Sequence, residues 1–193
     1  MGPLALKREE RFTYGDYLTW SDDERWELLD GIPYNMSPAP AVAHQLILGE
    51  LHLQLGAWLK GKPCQLFLAP FDVRLPEADE SDDQVETVVQ PDLTIICDKT
   101  KVDKAGCRGA PDLVVEILSP GTARKDRTVK FARYERAGVR EYWIVDPDEK
   151  TVQIFIRGED GRYGPPRLFV NGDSVNVGIF PDLEIDLAAV FAE

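Results

Sequence analysis

The sequence has 193 residues, of which 44% are hydrophobic and 29% are charged, enough for one globular domain with a buried core. Its net charge of −12 does not fit a protein that holds nucleic acid through a general excess of basic residues. No segment approaches the roughly 18 consecutive apolar residues of a membrane-spanning helix. The amino-terminal residues lack a long apolar core and a small-residue cleavage site, so no secretory signal is expected.

Hydrophobic periodicity and turn residues divide the chain into helices and strands. Thr13 and Asp16 have the spacing of a capping box, and Asp30-Gly31 is typical of a hairpin turn. In chain order, the patterns predict a helix near 14–20, a hairpin around Asp30-Gly31, a helix at 42–60, strands at 64–69, 71–75, 88–97 and 111–118, a helix at 123–137, strands at 141–146 and 151–157, short antiparallel strands within 158–185, and a terminal helix at 186–191.

The order of these elements predicts the fold class. The runs at 88–97 and 111–118 are continuously apolar apart from isolated acids, which is typical of strands buried on both faces. The segments 64–69 and 71–75 are expected to pair with each other. The strand–helix–strand unit 112–146 predicts a parallel pair with a right-handed crossover. The predicted class is therefore α/β, with a mixed sheet flanked by helices.

The number and spacing of the cysteines and histidines limit the kinds of site that the chain can carry. The three cysteines, Cys64, Cys97 and Cys107, are odd in number and include no CxxC pair. This favours reduced thiols in a cytoplasmic protein over a disulfide framework or a zinc site. With only His44 and His52 in the chain, a histidine-based metal site is not expected.

Acidic and basic residues are unevenly distributed along the chain. Residues 76–86 contain six acids and no base, which predicts a solvated loop. Basic residues are concentrated in 124–140. They could form a local cationic surface, or they could be the exposed face of one helix.

The most informative residues are acids at positions where apolar residues are expected. Asp92 lies within VVQPDLTIIC, and Glu116 lies within LVVEIL. A charged carboxylate in a dry interior is very costly unless it is paired or binds a metal. One such acid alone would be better explained by a salt bridge or by exposure at the end of a strand. Two such acids on neighbouring strands favour a metal site.

Strand geometry selects the pair of metal ligands. Asp112 and Glu116 share one strand and one face, but at about 3.3 Å per residue they lie on the order of 13 Å apart. Metal–oxygen bonds are about 2.0–2.6 Å, so these two do not easily share an ion. Adjacent strands are about 4.8 Å apart, so Asp92 can reach an ion held by Glu116. The expected ion is Mg²⁺ or Mn²⁺, which combines one or two carboxylates with water and phosphate.

The segments around these acids resemble a known family. They read ELLDGIPYNMSPAPAVAHQ, VVQPDLTII, DLVVEILSPGT, KFARYERAGVREYWIVDP and LEIDLAAVF. Together they resemble the Uma-type family of the PD-(D/E)XK nuclease superfamily, whose fold is that of type II restriction endonucleases. The resemblance covers most of residues 12–192 and implies a single restriction-endonuclease-like domain over 1–193.

The resemblance also implies metal-dependent hydrolysis of DNA, with Asp92 and Glu116 as metal ligands at a fork between strands. One position departs from the superfamily pattern, because Leu118 stands two residues after Glu116, where a lysine is expected. In related families this lysine is supplied by the following helix. Lys130 is the first candidate for that role, and Lys125 is the second.

Several further residues have two interpretations. Asp126, Lys130 and Tyr134 are four residues apart and are expected to share one helix face, with Tyr134 in the core. An ordinary surface ion pair with Asp126 is the alternative to a catalytic Lys130. Glu27 could be an auxiliary ligand, or it could be a hairpin residue paired to an arginine. His44 could lie near the site and contact phosphate, or it could be structural.

The leading hypothesis is a Mg²⁺- or Mn²⁺-dependent endonuclease that acts on DNA, with Asp92, Glu116 and Lys130 as catalytic residues. The missing lysine and the acidic net charge support an alternative, a non-enzymatic nucleic-acid-binding or assembly module on the same fold. No membrane association is expected. The fold class adds the hypothesis of a homodimer, because double-strand cleavage commonly uses two active sites.

Overall fold

A computed structural model describes residues 10–20, 24–36 and 41–192 of the protein. The strands are β1 (Trp26–Leu29), β2 (Ile32–Asn35), β3 (Gln65–Leu68), β4 (Val73–Arg74), β5 (Val88–Val89), β6 (Leu93–Ile96), β7 (Val102–Asp103), β8 (Gly106–Arg108), β9 (Leu113–Ile117), β10 (Glu141–Asp146), β11 (Thr151–Ile156), β12 (Arg167–Val170), β13 (Ser174–Asn176) and β14 (Glu184–Asp186). The helices are α1 (Tyr14–Tyr17), α2 (Val42–Leu59), α3 (Ala123–Lys125), α4 (Phe131–Ala137) and α5 (Leu187–Val190), with a π-helical segment at Asp126–Lys130 and 3-10 turns at Asp82–Gln84 and Lys99–Lys101.

Local sequence signals account for the first elements. The capping box of α1 is present: the Asp16 N–H donates to Thr13 Oγ1 at 3.4 Å, and the Thr13 N–H donates to Asp16 Oδ2 at 2.8 Å. Asp30 and Gly31 form the turn between β1 and β2, with φ of 56° and 73°. Positive φ at both positions explains the Asp-Gly pair. The predicted capping box and hairpin are therefore confirmed.

The two long predicted helices are also confirmed. The helix expected at 42–60 is α2, which buries its leucine face against the sheet. The helix expected at 123–137 is continuous from α3 to α4, although its middle turn is π-helical. Gly138 ends it in a left-handed conformation, with φ of 96°. Among the helices of the described ranges, none has the length and apolar composition needed to cross a bilayer.

Two six-stranded sheets and one two-stranded sheet carry the fold. Sheet A has the order β2-β1-β5-β4-β8-β7, sheet B has the order β12-β11-β10-β9-β6-β3, and β13 pairs with β14. In sheet B, β9 and β10 run parallel and are connected by the helix α3–α4, as predicted, while the other neighbours are antiparallel. The predicted α/β class, with mixed sheets flanked by helices, is confirmed.

Two strand predictions are wrong, one in its pairing and one in its extent. The segments 64–69 and 71–75 contain β3 and β4, but β3 pairs with β6 in sheet B, whereas β4 pairs with β5 and β8 in sheet A. The segment 88–97, predicted as one strand, is divided into β5 and β6, which belong to different sheets. Pro91 lies at that division, where it cannot donate to a sheet ladder. The chain therefore passes from one sheet to the other at this proline.

Cys64 and Cys97 form a disulfide, so the expectation of reduced thiols is wrong for these two residues. They lie directly beyond Gln65 and Ile96, which pair across β3 and β6. The antiparallel register thus brings the two cysteines together despite a sequence separation of 33 residues, which left no spacing motif to detect. Cys107 is free and buried.

The strands of sheet B alternate between two apolar layers. Val115 and Ile117 face a layer shared with α2 and α5, whereas Val114 faces a second layer shared with sheet A and α4. Since successive side chains of a strand point to opposite faces, Glu116 lies on the side of Val114. Its carboxylate therefore points into the space between sheet B, sheet A and the helix α3–α4.

Candidate active site

Asp92 and Glu116 lie side by side on neighbouring strands. Leu93 pairs with Val115 in the antiparallel register of β6 and β9, which puts Asp92 opposite Glu116. Asp92 Oδ2 accepts a hydrogen bond from the backbone N–H of Ile117 at 2.8 Å, which fixes this carboxylate against β9. Asp92 and Glu116, the two acids predicted to share a metal ion, are therefore close together.

Asp112 lies outside this pair, as predicted. Its Oδ2 accepts a hydrogen bond from the Cys97 N–H at 2.7 Å, and its Oδ1 accepts one from Arg140 at 3.1 Å. Asp112 therefore makes local contacts at the start of β9.

Lys130 reaches Glu116 from the helix that follows β9. Its Nζ lies 2.8 Å from Glu116 Oε1, 2.7 Å from Glu27 Oε1 and 3.6 Å from Asp126 Oδ1. Burial lowers the pKa of Lys130, but the three carboxylates outweigh burial and hold this pKa well above its usual value. Because Lys130 is 2% exposed, it is a buried cation, and the alternative of a surface ion pair with Asp126 is wrong.

Lys125, the second candidate, contacts a different acid. Its Nζ donates to Glu27 Oε2 at 2.7 Å and lies 5.1 Å from the ring centre of Tyr34. Of the two candidate lysines, Lys130 thus bonds directly to Glu116, and Lys125 bonds to Glu27.

Glu27, on β1, connects sheet A to this cluster. Its Oε1 also accepts a hydrogen bond from the Gln90 backbone N–H at 3.0 Å. Burial raises the pKa of Glu27, but Lys130 and Lys125 outweigh burial and leave this pKa below its usual value. Its partners are lysines, so the alternative of a hairpin residue paired to an arginine is wrong, and a role as auxiliary ligand stays a prediction.

Glu116 accepts two hydrogen bonds through one carboxylate oxygen. Its Oε1 accepts hydrogen bonds from Lys130 at 2.8 Å and from the Tyr134 hydroxyl at 2.6 Å. Burial raises the pKa of Glu116 to about 8, an effect that Lys130 opposes and that Asp126 and Asp92 reinforce. Glu116 Oε2 accepts no hydrogen bond within the described ranges, so this oxygen is available to a cation.

His44, at the start of α2, lies against Asp92. Its Nε2 is 3.2 Å from Asp92 Oδ1, and the ring is buried. His44 Nδ1 has no hydrogen-bond partner among the residues that the structure describes. His44 is therefore near the site, and its observed contact is with a carboxylate.

The donor chemistry of this cluster fits a small divalent cation. Among the described residues, no group of three or more His, Cys, Asp or Glu side chains is placed to hold a metal ion. Mg²⁺ and Mn²⁺ do not need one, because one or two carboxylates with water and phosphate suffice. Asp92 and Glu116 supply those carboxylates, and the buried Asp126 Oδ1 has no hydrogen-bond partner within the same ranges. The carboxylate cluster consists of Glu27, Asp92, Glu116 and Asp126. These four acids outnumber the two lysines that contact them, Lys125 and Lys130, and the excess of negative charge favours binding of a cation.

Sequence reasoning missed part of this arrangement. Tyr134 is a core residue, as expected, but its hydroxyl also bonds to Glu116. Asp126 is buried beside Lys130, and Gln90 bonds to Glu27. The spacing of Asp126, Lys130 and Tyr134 was the available signal, whereas nothing in the sequence distinguishes Gln90 from other polar residues.

Most arginines of the segment 124–140 are paired with acids. The pairs are Arg127–Asp146, Arg133–Asp30, Arg133–Glu77, Arg136–Glu77 and Arg140–Asp112. The acidic segment 76–86 supplies Glu77, so part of this loop lies against the helix α3–α4. Arg127, Arg133 and Arg136 therefore form an ion-paired helix face, and Arg140, beyond the end of the helix, is also paired, so these arginines are not a free cationic surface.

Comparisons with known proteins agree with this fold. A family model described as "Uma2: Putative restriction endonuclease" matches residues 14–188. An uncharacterized protein of Synechocystis sp., slr1290, is 25% identical over 149 residues, which cover 76% of this chain and 74% of that protein. The crystal structure of a protein from Anabaena variabilis, described as "a putative nuclease belonging to DUF820", matches with a TM-score of 0.73 and 20% identity, covering 93% of this chain and 97% of that one.

Proposed function

The chain belongs to the Uma2 family, and we propose that it is a divalent-metal-dependent endonuclease that hydrolyses phosphodiester bonds in DNA. The observation that carries this proposal is the pairing of Asp92 with Glu116 on neighbouring strands, with Lys130 at 2.8 Å from Glu116. The description of the family and that of the Anabaena protein support the same chemistry.

Each residue of the cluster has a separate role in this proposal. Asp92 and Glu116 would hold Mg²⁺ or Mn²⁺ through their carboxylates. The bound cation would supply polarisation of the phosphoryl group and acidification of a water molecule. Because its pKa is raised, Lys130 stays protonated and stabilises developing negative charge instead of acting as a base. Tyr134 and His44 orient the two carboxylates through their contacts with Glu116 and Asp92.

Cleavage of supercoiled plasmid tests this function. Purified protein is incubated with plasmid in Mg²⁺, Mn²⁺ or EDTA, and nicked and linear products are quantified. We expect metal-dependent cleavage that is lost in Asp92→Asn and Glu116→Gln. Asp112→Asn is the matched control, because this carboxylate lies on the same strand but outside the cluster. Cleavage that persists in Glu116→Gln would exclude this site.

A nucleic-acid-binding module without catalysis is the second candidate. It is favoured by Leu118 at the expected lysine position and by the ion pairs of Lys130 with three carboxylates. It predicts DNA binding without cleavage in either metal. A homodimer and a cytoplasmic location stay predictions.

A further inference from the structure

Arg25, at the edge of the carboxylate cluster, is held by a neutral group. It lies directly before β1, two residues from Glu27, and is exposed. Its Nε and Nη2 donate to Gln90 Oε1 at 3.0 and 2.7 Å. Within the described ranges, Arg25 forms no ion pair with a carboxylate, although its charge lowers the pKa of the nearby Asp72 against the larger effect of burial.

Gln90 fixes Arg25 relative to the proposed metal ligands. The Gln90 backbone N–H donates to Glu27 Oε1 at 3.0 Å, and its Nε2 donates to Asp72 Oδ1 at 2.8 Å. The Gln90 side chain is buried, so its amide orientation is set by Asp72 and in turn orients Arg25. Gln90 therefore links Arg25 to Glu27, which itself contacts Lys130 at 2.7 Å.

This environment differs from that of most other arginines in the described part of the chain. The following arginines each contact an aspartate or a glutamate: Arg11, Arg74, Arg108, Arg127, Arg133, Arg136 and Arg140. Arg124, Arg157, Arg162 and Arg167 also have no such partner in those ranges. Of these, Arg157 donates from Nε to the backbone carbonyl of Glu135 at 3.2 Å, which lies on α4 and not in the carboxylate cluster. Because its acceptor is neutral, Arg25 contacts no carboxylate directly within the described ranges, and N–H groups on Nη1 and Nη2 make no hydrogen bond to those residues.

We infer that Arg25 binds a phosphodiester group of the nucleic acid, next to the phosphate that is cleaved, and that Gln90 orients it for this contact. The inference rests on the proposed function. A guanidinium presents paired N–H donors that match two phosphate oxygens. On a protein with a net charge of −12, such a contact also offsets repulsion between the acidic surface and the DNA backbone.

Salt-dependent DNA binding tests the role of Arg25. A short labelled duplex is titrated by fluorescence anisotropy at several KCl concentrations, in the Glu116→Gln background so that the duplex is not cut. Arg25→Ala is expected to weaken binding at least about tenfold. It should also reduce the slope of log affinity against log salt by about 0.9, the contribution of one phosphate contact. Arg25→Lys keeps the charge but loses the planar guanidinium. Its DNA affinity should lie between those of the parent protein and Arg25→Ala.

Arg136→Ala is the matched control, because this guanidinium is 61% exposed, is neutralised by Glu77, and its loss changes the net charge by the same amount. Unchanged binding in Arg25→Ala, or an equal loss in Arg136→Ala, would overturn the inference and leave the proposed function intact. A parent protein that does not bind DNA would overturn both. Thermal unfolding checks that each variant is folded. If Arg25→Ala is not, Arg25→Gln replaces it, and parental affinity and slope in Arg25→Gln would overturn the inference.

Discussion

Lys130 Nζ lies 2.8 Å from Glu116 Oε1, although the two residues are 14 positions apart in the chain. The parallel β9–helix–β10 connection returns the π-helical turn over the face of β9 that carries Glu116. Lys130 thus supplies, next to Glu116, the positive charge that Leu118 cannot supply. Leu118 itself packs in the second apolar layer.

Replacing Lys130 by Met should destabilise the metal-free protein. The change leaves Glu27 with Lys125 as its remaining cation and leaves Glu116 without one, which costs up to about 3–5 kcal/mol of unfolding free energy when Glu116 is ionised. The cost should be smaller below pH 8, because burial raises the pKa of Glu116 to about 8 and the protonated carboxyl carries no charge. Urea unfolding without metal measures this loss. Lys125→Met, which removes one contact with Glu27, should cost less. Equal stability of wild type and Lys130→Met would contradict the buried ion pairs described for Lys130.

Metal affinity should rise with pH. Burial raises the pKa of Glu116 to about 8, so at lower pH this carboxyl carries a proton that a metal ion must displace. The apparent affinity for Mn²⁺ should therefore increase by up to about tenfold per pH unit below about 8 and level off above it. Calorimetric titrations at several pH values measure this slope. A flat profile would show that Glu116 is not a ligand or is already ionised.

His44 should strengthen metal binding by positioning Asp92. Side chains that hold a metal ligand in place typically contribute about 10–100-fold to metal affinity. We therefore expect His44→Ala to weaken Mn²⁺ binding by about that factor while the protein remains folded. His52→Ala, on an exposed part of α2, is the control. Equal Mn²⁺ affinities in the two variants would argue against a positioning role.

The disulfide should contribute to stability. Cys64 and Cys97 close a loop over a sequence separation of 33 residues, and a crosslink of this kind stabilises a fold by about 2–4 kcal/mol. Reduction of the wild type should lower its unfolding free energy by that amount. A Cys64→Ser/Cys97→Ser variant should show the same low stability with and without reductant. Three titratable thiols in the unreduced, unfolded protein would contradict the disulfide.

The sequence predicted the parts of the fold that depend on local signals. The capping box at Thr13, the Asp30-Gly31 turn and the helix ended by Gly138 each follow from a few neighbouring residues. The choice of Asp92 as the partner of Glu116 needed only strand spacing. These features could be predicted because their geometry is set within one or two elements.

Features that depend on long-range pairing could not be predicted. Continuous apolar runs do not encode their partners, so the assignment of β3 and β4 to different sheets was missed. The Cys64–Cys97 bond depends on the register of β3 and β6. Likewise, the contact between Lys130 and Glu27 joins sheet A to the helix α3–α4, and no spacing rule connects residues so far apart.

Calorimetric titration with Mn²⁺ tests most directly whether Asp92 and Glu116 form a metal site. We predict that the wild type binds Mn²⁺, that Asp92→Asn and Glu116→Gln lose this binding while remaining folded, and that Asp112→Asn binds like the wild type. Mn²⁺ binding that is unchanged in Asp92→Asn and Glu116→Gln, or absent from the wild type, would contradict this site.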